Sequence, residues 1–166
     1  GIAQMLFSGQ AEASIDAKSR LAIPAKFRGL VPTTTAGSTT GRPDGPSGAV
    51  WYCIAYRPGL IRLYPDARFQ KLAEAVESTL TPDRDQAELE AAMFGSFERV
   101  ETDSAGRITL PKDQLRLAKL GSEVMVIGAR DRLEIRDRGV WMGEQEARFA
   151  GMEALAERVA RAARPS

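Results

Sequence analysis

Asp16-Ala17-Lys18-Ser19-Arg20-Leu21-Ala22-Ile23-Pro24 is answered 87 residues later by Asp103-Ser104-Ala105-Gly106-Arg107-Ile108-Thr109-Leu110-Pro111. Aspartate, arginine and proline recur at one spacing, and Leu21 and Ile23 meet Ile108 and Leu110. Phe7 meets Phe94 at the same shift. In each copy the aspartate favours a turn, because its carboxylate accepts nearby backbone N–H groups. The alternating apolar pair that follows marks a half-buried strand. Proline then suits the first turn of a helix, where its missing N–H costs nothing.

A second match lies further along each copy. Tyr52–Ala55 and Ile61–Tyr64 align with Val124–Ile127 and Leu133–Arg136 at a shift of 72. Each pair of runs reads as a hairpin, the first turning at Pro58-Gly59 and the second at 129–132. The difference between the two shifts is an excess of 15 residues in the first half, and 33–48 supplies them. That stretch is rich in Thr, Gly, Ser and Pro without apolar periodicity, as in a flexible inserted loop. Helices are expected at Lys112–Leu120, stopped by Gly121, and at Asp66–Leu80 with Phe69, Leu72, Ala73, Val76 and Leu80 inward. A third follows a Thr81-Pro82-Asp83 cap, with Leu89, Ala92 and Met93 inward. A fourth is expected from Trp141 to about Ala163, its end left to dock on a neighbour or fray. The fold class is therefore α+β: two tandem pseudo-symmetric β-α-β repeats, 5–80 and 92–163, in one intertwined domain spanning 1–166, plus amphipathic helices.

Composition narrows the chemistry. With 166 residues, 43% hydrophobic and 27% charged, the chain can bury a core without staples. A single cysteine, Cys53, excludes an internal disulfide and reads as a small buried hydrophobe in a strand. The absence of histidine removes most zinc chemistry and every Ser-His or Cys-His nucleophile. There is no phosphate-cradling Gly-Lys loop, no dinucleotide fingerprint and no metal cluster. Asp16 and Asp103 are explained by their turns, so catalytic residues, metal, cofactor and small-molecule substrate are all expected to be absent. Gly1–Phe7 is too short and uncharged for a signal peptide, and Ala49–Tyr56 is far below the roughly 20 apolar residues of a membrane helix. No membrane association and a cytoplasmic setting are expected.

The 23 basic residues, 18 of them Arg, balance 22 acidic ones to a net charge of +1. A local patch still suffices for nucleic acid. Glu12–Arg28 holds four basic and two acidic residues, whereas Glu98–Arg116 holds four of each. An aspartate and an arginine across one turn need be no more than a surface pair. Two copies in symmetric positions would present Arg20 and Arg107 as equivalent tips. A two-stranded ribbon can enter the DNA major groove, where arginine donates two hydrogen bonds to guanine. Lys18, Lys26 and Arg28 would add phosphate contacts, which position without selecting sequence.

The order Phe-x-Gly, Asp-Ala-Lys-x-Arg-Leu-Ala-Ile-Pro, Leu-Tyr-Pro, Asp-x-x-Gly-Arg-Ile-x-Leu-Pro resembles the MraZ family from roughly Met5 to Trp141. These are bacterial DNA-binding regulators of the division and cell-wall gene cluster. The resemblance implies an AbrB-like swapped-hairpin fold, a homo-oligomeric ring and a nucleoid-associated protein. Its Asp-x-x-x-Arg loops would meet short G-rich direct repeats in promoter double-stranded DNA, with Arg20 and Arg107 as contacts and Asp16, Asp103 and Gly106 setting the turns. The family's usual glycine is Ser19 in the first loop; at positive φ it would cost of the order of 1–3 kcal/mol or reshape the turn. The second loop keeps Gly106 but has Ala105 in place of Lys18. The competing reading is an oligomeric scaffold or interaction protein of the same fold that has lost specific DNA binding.

Overall fold

The computed structural model describes residues 6–32, 48–76 and 79–164. The expected inserted loop, apart from Gly48, and residues 1–5 of the N-terminal segment lie outside the described residues.

The chain is α+β, and all strand pairs among the described residues are antiparallel. The first half runs β1 (Gln10–Ser14), β2 (Arg20–Ala22), α1 (Ala25–Arg28), β3 (Val50–Arg57), β4 (Leu60–Pro65) and α2 (Asp66–Ala75). After α3 (Arg84–Phe94) the second half runs β5 (Glu98–Glu101), β6 (Arg107–Thr109), α4 (Lys112–Ala118), β7 (Glu123–Gly128), β8 (Leu133–Asp137) and α5 (Arg138–Gly143). The chain closes with α6 (Gln145–Ala162). Each half thus places two strands before its short helix and a hairpin of two after it.

A six-stranded sheet has the order β1-β7-β8-β4-β3-β5. Exchanging every strand for its counterpart in the other half leaves this order unchanged. Among the described residues β1 pairs within it only with β7 and β5 only with β3, so neither half completes its own sheet. The remaining strands, β2 and β6, form a separate two-stranded ribbon.

The core lies between the ribbon and one face of the large sheet. Leu21, Ile23, Phe27, Ile108 and Leu110 join Trp51, Cys53, Ile61, Leu63, Val124, Val126, Leu133 and Ile135 in one cluster. The period of two in the strands produces this face: Ile61 and Leu63 point in, while Arg62 is only half-buried. Burying each large side chain contributes about 1.5–3 kcal/mol. Cys53 is buried in β3, as expected, and its thiol donates to Gln114 Oε1 at 3.0 Å. Gln114 Nε2 in turn donates to the Cys53 and Ser96 carbonyls, both at 3.0 Å. This polar pin fixes α4 to the sheet, and burial pushes the Cys53 thiol pKa up. Gly128 is required by a close approach, since a Cβ there would lie 2.6 Å from the Ser8 nitrogen.

The sheet's other face is roofed by α2 and α5. Phe69 stacks on Tyr52 at 3.8 Å between ring centres, and Trp141 Nε1 donates to Gln10 Oε1 at 2.7 Å. Between them Glu134, 4% exposed, accepts from Arg132 and Arg136 and faces Arg62. Burial alone would raise its pKa, but the hydrogen bond and charge of Arg136, with the charges of Arg132 and Arg62, hold it below the ordinary value.

Four helix readings need correction. α2 ends at Ala75, because Val76 is already extended (ψ 123°), and Leu80 is fully exposed. α3 does begin at an Asp83 cap, which accepts from Gln86 N–H at 2.8 Å. Its half-buried side is Gln86, Ala87, Glu90 and Met93, whereas Leu89 and Ala92 are exposed. α4 stops on Lys119 in the left-handed region (φ 53°), two residues before Gly121. The long last helix is two helices, beginning at Arg138 and broken at Glu144 (φ −95°, ψ 5°). Arg148 Nη1 donates to the Trp141 carbonyl at 2.7 Å, satisfying an acceptor at the end of α5.

Candidate nucleic-acid interface

The two Asp-x-x-x-Arg loops have the same construction. Asp16 Oδ1 accepts from the backbone N–H of Lys18 at 2.9 Å and of Arg20 at 2.8 Å, while Oδ2 accepts from Arg20 Nε at 2.8 Å. Asp103 does the same with Ala105 N (2.9 Å), Arg107 N (2.9 Å) and Arg107 Nε (3.0 Å). The backbone N–H of the arginine is the main cause holding each aspartate below the ordinary carboxylate pKa, so both stay ionised through the usual range. Each arginine is thereby fixed through Nε alone. Among the described residues, Nη1 and Nη2 of Arg20 and Arg107 have no hydrogen-bond partner.

The ribbon brings these arginines together. Arg20 stands opposite Thr109, Leu21 opposite Ile108 and Ala22 opposite Arg107. Leu21 and Ile108 are wholly buried, so alternation turns Arg20, Ala22, Arg107 and Thr109 to the outer face. Arg20 and Arg107 are diagonal neighbours there, roughly 7–8 Å apart by strand geometry. Their side chains are 31% and 36% exposed, held at the base yet open at the end. Backbone bonds cross between the loops and the opposite strands: Ile23 N–H donates to Gly106 O at 3.0 Å, and Leu110 N–H to Ser19 O at 2.8 Å.

Ser19 adopts φ 63° where Gly106 adopts φ 77°, so the first loop keeps the shape of the second and carries the strain. We expect Ser19→Gly to raise stability by no more than about 1 kcal/mol, the left-handed penalty less the glycine's entropy. Gly106→Ala should lower it by about 1–3 kcal/mol, because a Cβ there has a strained φ and meets the Arg28 guanidinium. Paired urea melts check the opposite signs.

The remaining basic residues are placed unequally. Lys18 is exposed at the tip of the first loop, with no side-chain partner among the described residues. Arg28 crosses to the second loop, where Nη1 donates to the Ala105 carbonyl at 3.5 Å, beside the position that lacks a lysine. Lys26 Nζ donates to the Gln10 carbonyl at 2.5 Å, which ties it to β1. Sequence reasoning missed Thr109 on the outer face and the crossing of Arg28. Register alone reveals the first, and no local signal reveals the second. Among the described residues no group of His, Cys, Asp and Glu is placed to hold a metal ion, and no helix is long and apolar enough to cross a membrane.

Comparison with known proteins gives consistent matches. Residues 93–162 match the family model described as "MraZ protein, putative antitoxin-like". The "Transcriptional regulator MraZ" of Mycobacterium sp. (strain KMS) is 30% identical over 156 residues, covering 94% of this chain and 98% of that protein. The protein of that name from Chlorobium phaeovibrioides (strain DSM 265 / 1930) is 32% identical over 152 residues, covering 88% and 95%. That from Thioalkalivibrio sulfidiphilus (strain HL-EbGR7) is 26% identical over 152 residues, covering 92% and 93%.

Proposed function

The chain belongs to the MraZ family, and from that premise we propose that it is a sequence-specific DNA-binding transcriptional regulator rather than an enzyme. The observation that carries this reading is the pair of Nε-anchored arginines, Arg20 and Arg107, on the outer face of one ribbon. Each offers two terminal nitrogens to guanine O6 and N7 in the major groove. Asp16, Asp103 and Gly106 set the turns that aim them. Lys18 and Arg28 give each loop one neighbouring cation for phosphate, and Lys26 keeps two donors after its bond to Gln10.

The architecture is read as AbrB-like swapped hairpins, since each half lends its first strand to the other. A net charge of +1 gives one chain weak affinity. Specific binding then comes from several subunits of a homo-oligomeric ring engaging short G-rich direct repeats together. In this reading the protein acts on the promoter of the division and cell-wall gene cluster, in the cytoplasm at the nucleoid. Gel shifts with tandem-repeat and scrambled DNA test it. We expect preference for the repeats and a fall of about 0.9 log units in affinity per phosphate contact for each log unit of salt. An assembled particle that shifts neither DNA at low salt would favour the scaffold reading.

A further inference from the structure

α6 is a helix that the described residues of its own chain leave uncovered. Every residue from Gln145 to Ala162 except Arg148 is exposed, and Arg148 is the one that reaches back to α5. Phe149, Met152, Leu155 and Val159 are 80, 60, 52 and 63% exposed. Their spacings of three, three and four gather them into one stripe. Exposed apolar residues scattered singly need no explanation, but a contiguous stripe of large ones marks a contact surface. In proteins most helical stability comes from packing an apolar face, which the described residues do not provide for this helix of 18 residues, so its stability calls for a partner.

The same chain carries a surface of the opposite kind. An open groove of about 590 Å³ lies between α2 and α3, lined mostly by apolar Ala73, Val76, Pro82, Ala87, Ala91 and Phe94, with Thr79 and Glu90 as its polar members. Three of these are alanines, so the groove has room for side chains of the size α6 presents. Charge matches as well. Positions 83–94 hold Asp83, Asp85, Glu88 and Glu90 against Arg84 alone, while 157–164 hold Arg158, Arg161 and Arg164 against Glu157. The two surfaces sit toward opposite ends of the sheet. α2 packs on β3 and β4, whereas α5, from which α6 departs, packs on β7 and β8.

We infer that α6 of one copy docks in the α2–α3 groove of a second copy, large apolar residues into the alanine-lined cavity and basic end toward acidic α3. The contact joins unlike surfaces, so it repeats head to tail and closes into a ring if the rotation allows. The inference rests on the assembled form proposed above and assigns its faces, and it does not depend on DNA.

Two variants of the full chain test it by light scattering: Phe149→Glu with Met152→Glu on the stripe, and Ala87→Glu with Ala91→Glu in the groove. Each alone is expected to be a monomer with wild-type circular dichroism. Mixed in equal amounts they retain one intact stripe and one intact groove, so they should form a heterodimer of twice the monomer mass and nothing larger. Recovery of that mass also shows that both variants fold. A groove variant that keeps the wild-type mass overturns the proposal in favour of α6 pairing with α6, and a mixture that stays monomeric overturns it outright. If both variants keep the wild-type mass, these faces are wrong while the ring stands. A monomeric wild type overturns both, and the gel shift reads DNA binding separately.

Discussion

Arg20→Ala combined with Arg107→Ala is expected to abolish the distinction between operator and scrambled DNA while leaving the fold in place. Each bidentate arginine–guanine pair supplies about 1–3 kcal/mol of discrimination. At about 1.4 kcal/mol per factor of ten, one lost arginine costs roughly 5- to 150-fold in selectivity, and two cost the product when they act independently. Several subunits on adjacent repeats would enlarge the loss. The fold should not follow, because an exposed ion pair contributes only about 0–1 kcal/mol and each aspartate keeps its two backbone N–H donors. Fluorescence anisotropy with both DNAs reads the ratio, and Lys18→Ala is the control. Removing that lysine should weaken both DNAs alike and reduce the salt slope by about one contact. Arg20→Lys sharpens the assignment, since it keeps the charge and loses the fork. A double alanine variant with an unchanged operator preference would take the arginines out of the role given to them.

Leu21→Ala is expected to cost the most stability among changes near the interface. Leu21 is wholly buried opposite Ile108, so this pair fixes the ribbon on the large sheet. Truncating such a leucine costs about 2–5 kcal/mol, depending on how far the cavity collapses. Domains have about 5–15 kcal/mol in all, so the loss is a large share. Urea unfolding should show a lower midpoint with an unchanged slope, the sign of lost stability without a changed unfolded state. A loss below about 1 kcal/mol would mean that the loops are held chiefly by the crossing bonds from Ile23 and Leu110.

What the sequence revealed of these features divides by the range of the physics. Turn chemistry, strand alternation and the proline that opens a helix are local, so both Asp-x-x-x-Arg loops, both hairpins and the buried place of Cys53 were legible. The resemblance to the family was legible for the same reason, as its motifs are these turns. Partnership between strands is not local. Nothing in Gln10–Ser14 says that its partner is Glu123–Ile127, and so the diagonal meeting of Arg20 with Arg107 could be suspected only from the repeat. Helix ends were misread where tertiary structure overrides pattern. The apolar spacing through Leu80 continues after the backbone has turned extended at Val76. The break at Glu144 is fixed by an arginine reaching back across it. The Ser19 departure from the family glycine was visible, but its outcome was not, since sequence does not tell whether strain is borne or relieved.

The exchange of first strands between halves has a consequence in time. Gln10 pairs with Ile127, 117 residues further on. At a synthesis rate of about 5–20 residues per second, β1 leaves the ribosome about 6–23 s before the strand that will receive it. During that interval a short strand bearing its own unmet backbone groups must neither aggregate nor settle on another edge. Its alternation of small alanines with Gln10, Glu12 and Ser14 suits that wait, for it offers little apolar surface until β7 arrives. The completion of this sheet is thus a late event on the ribosome, reached only after Ile127 has been made.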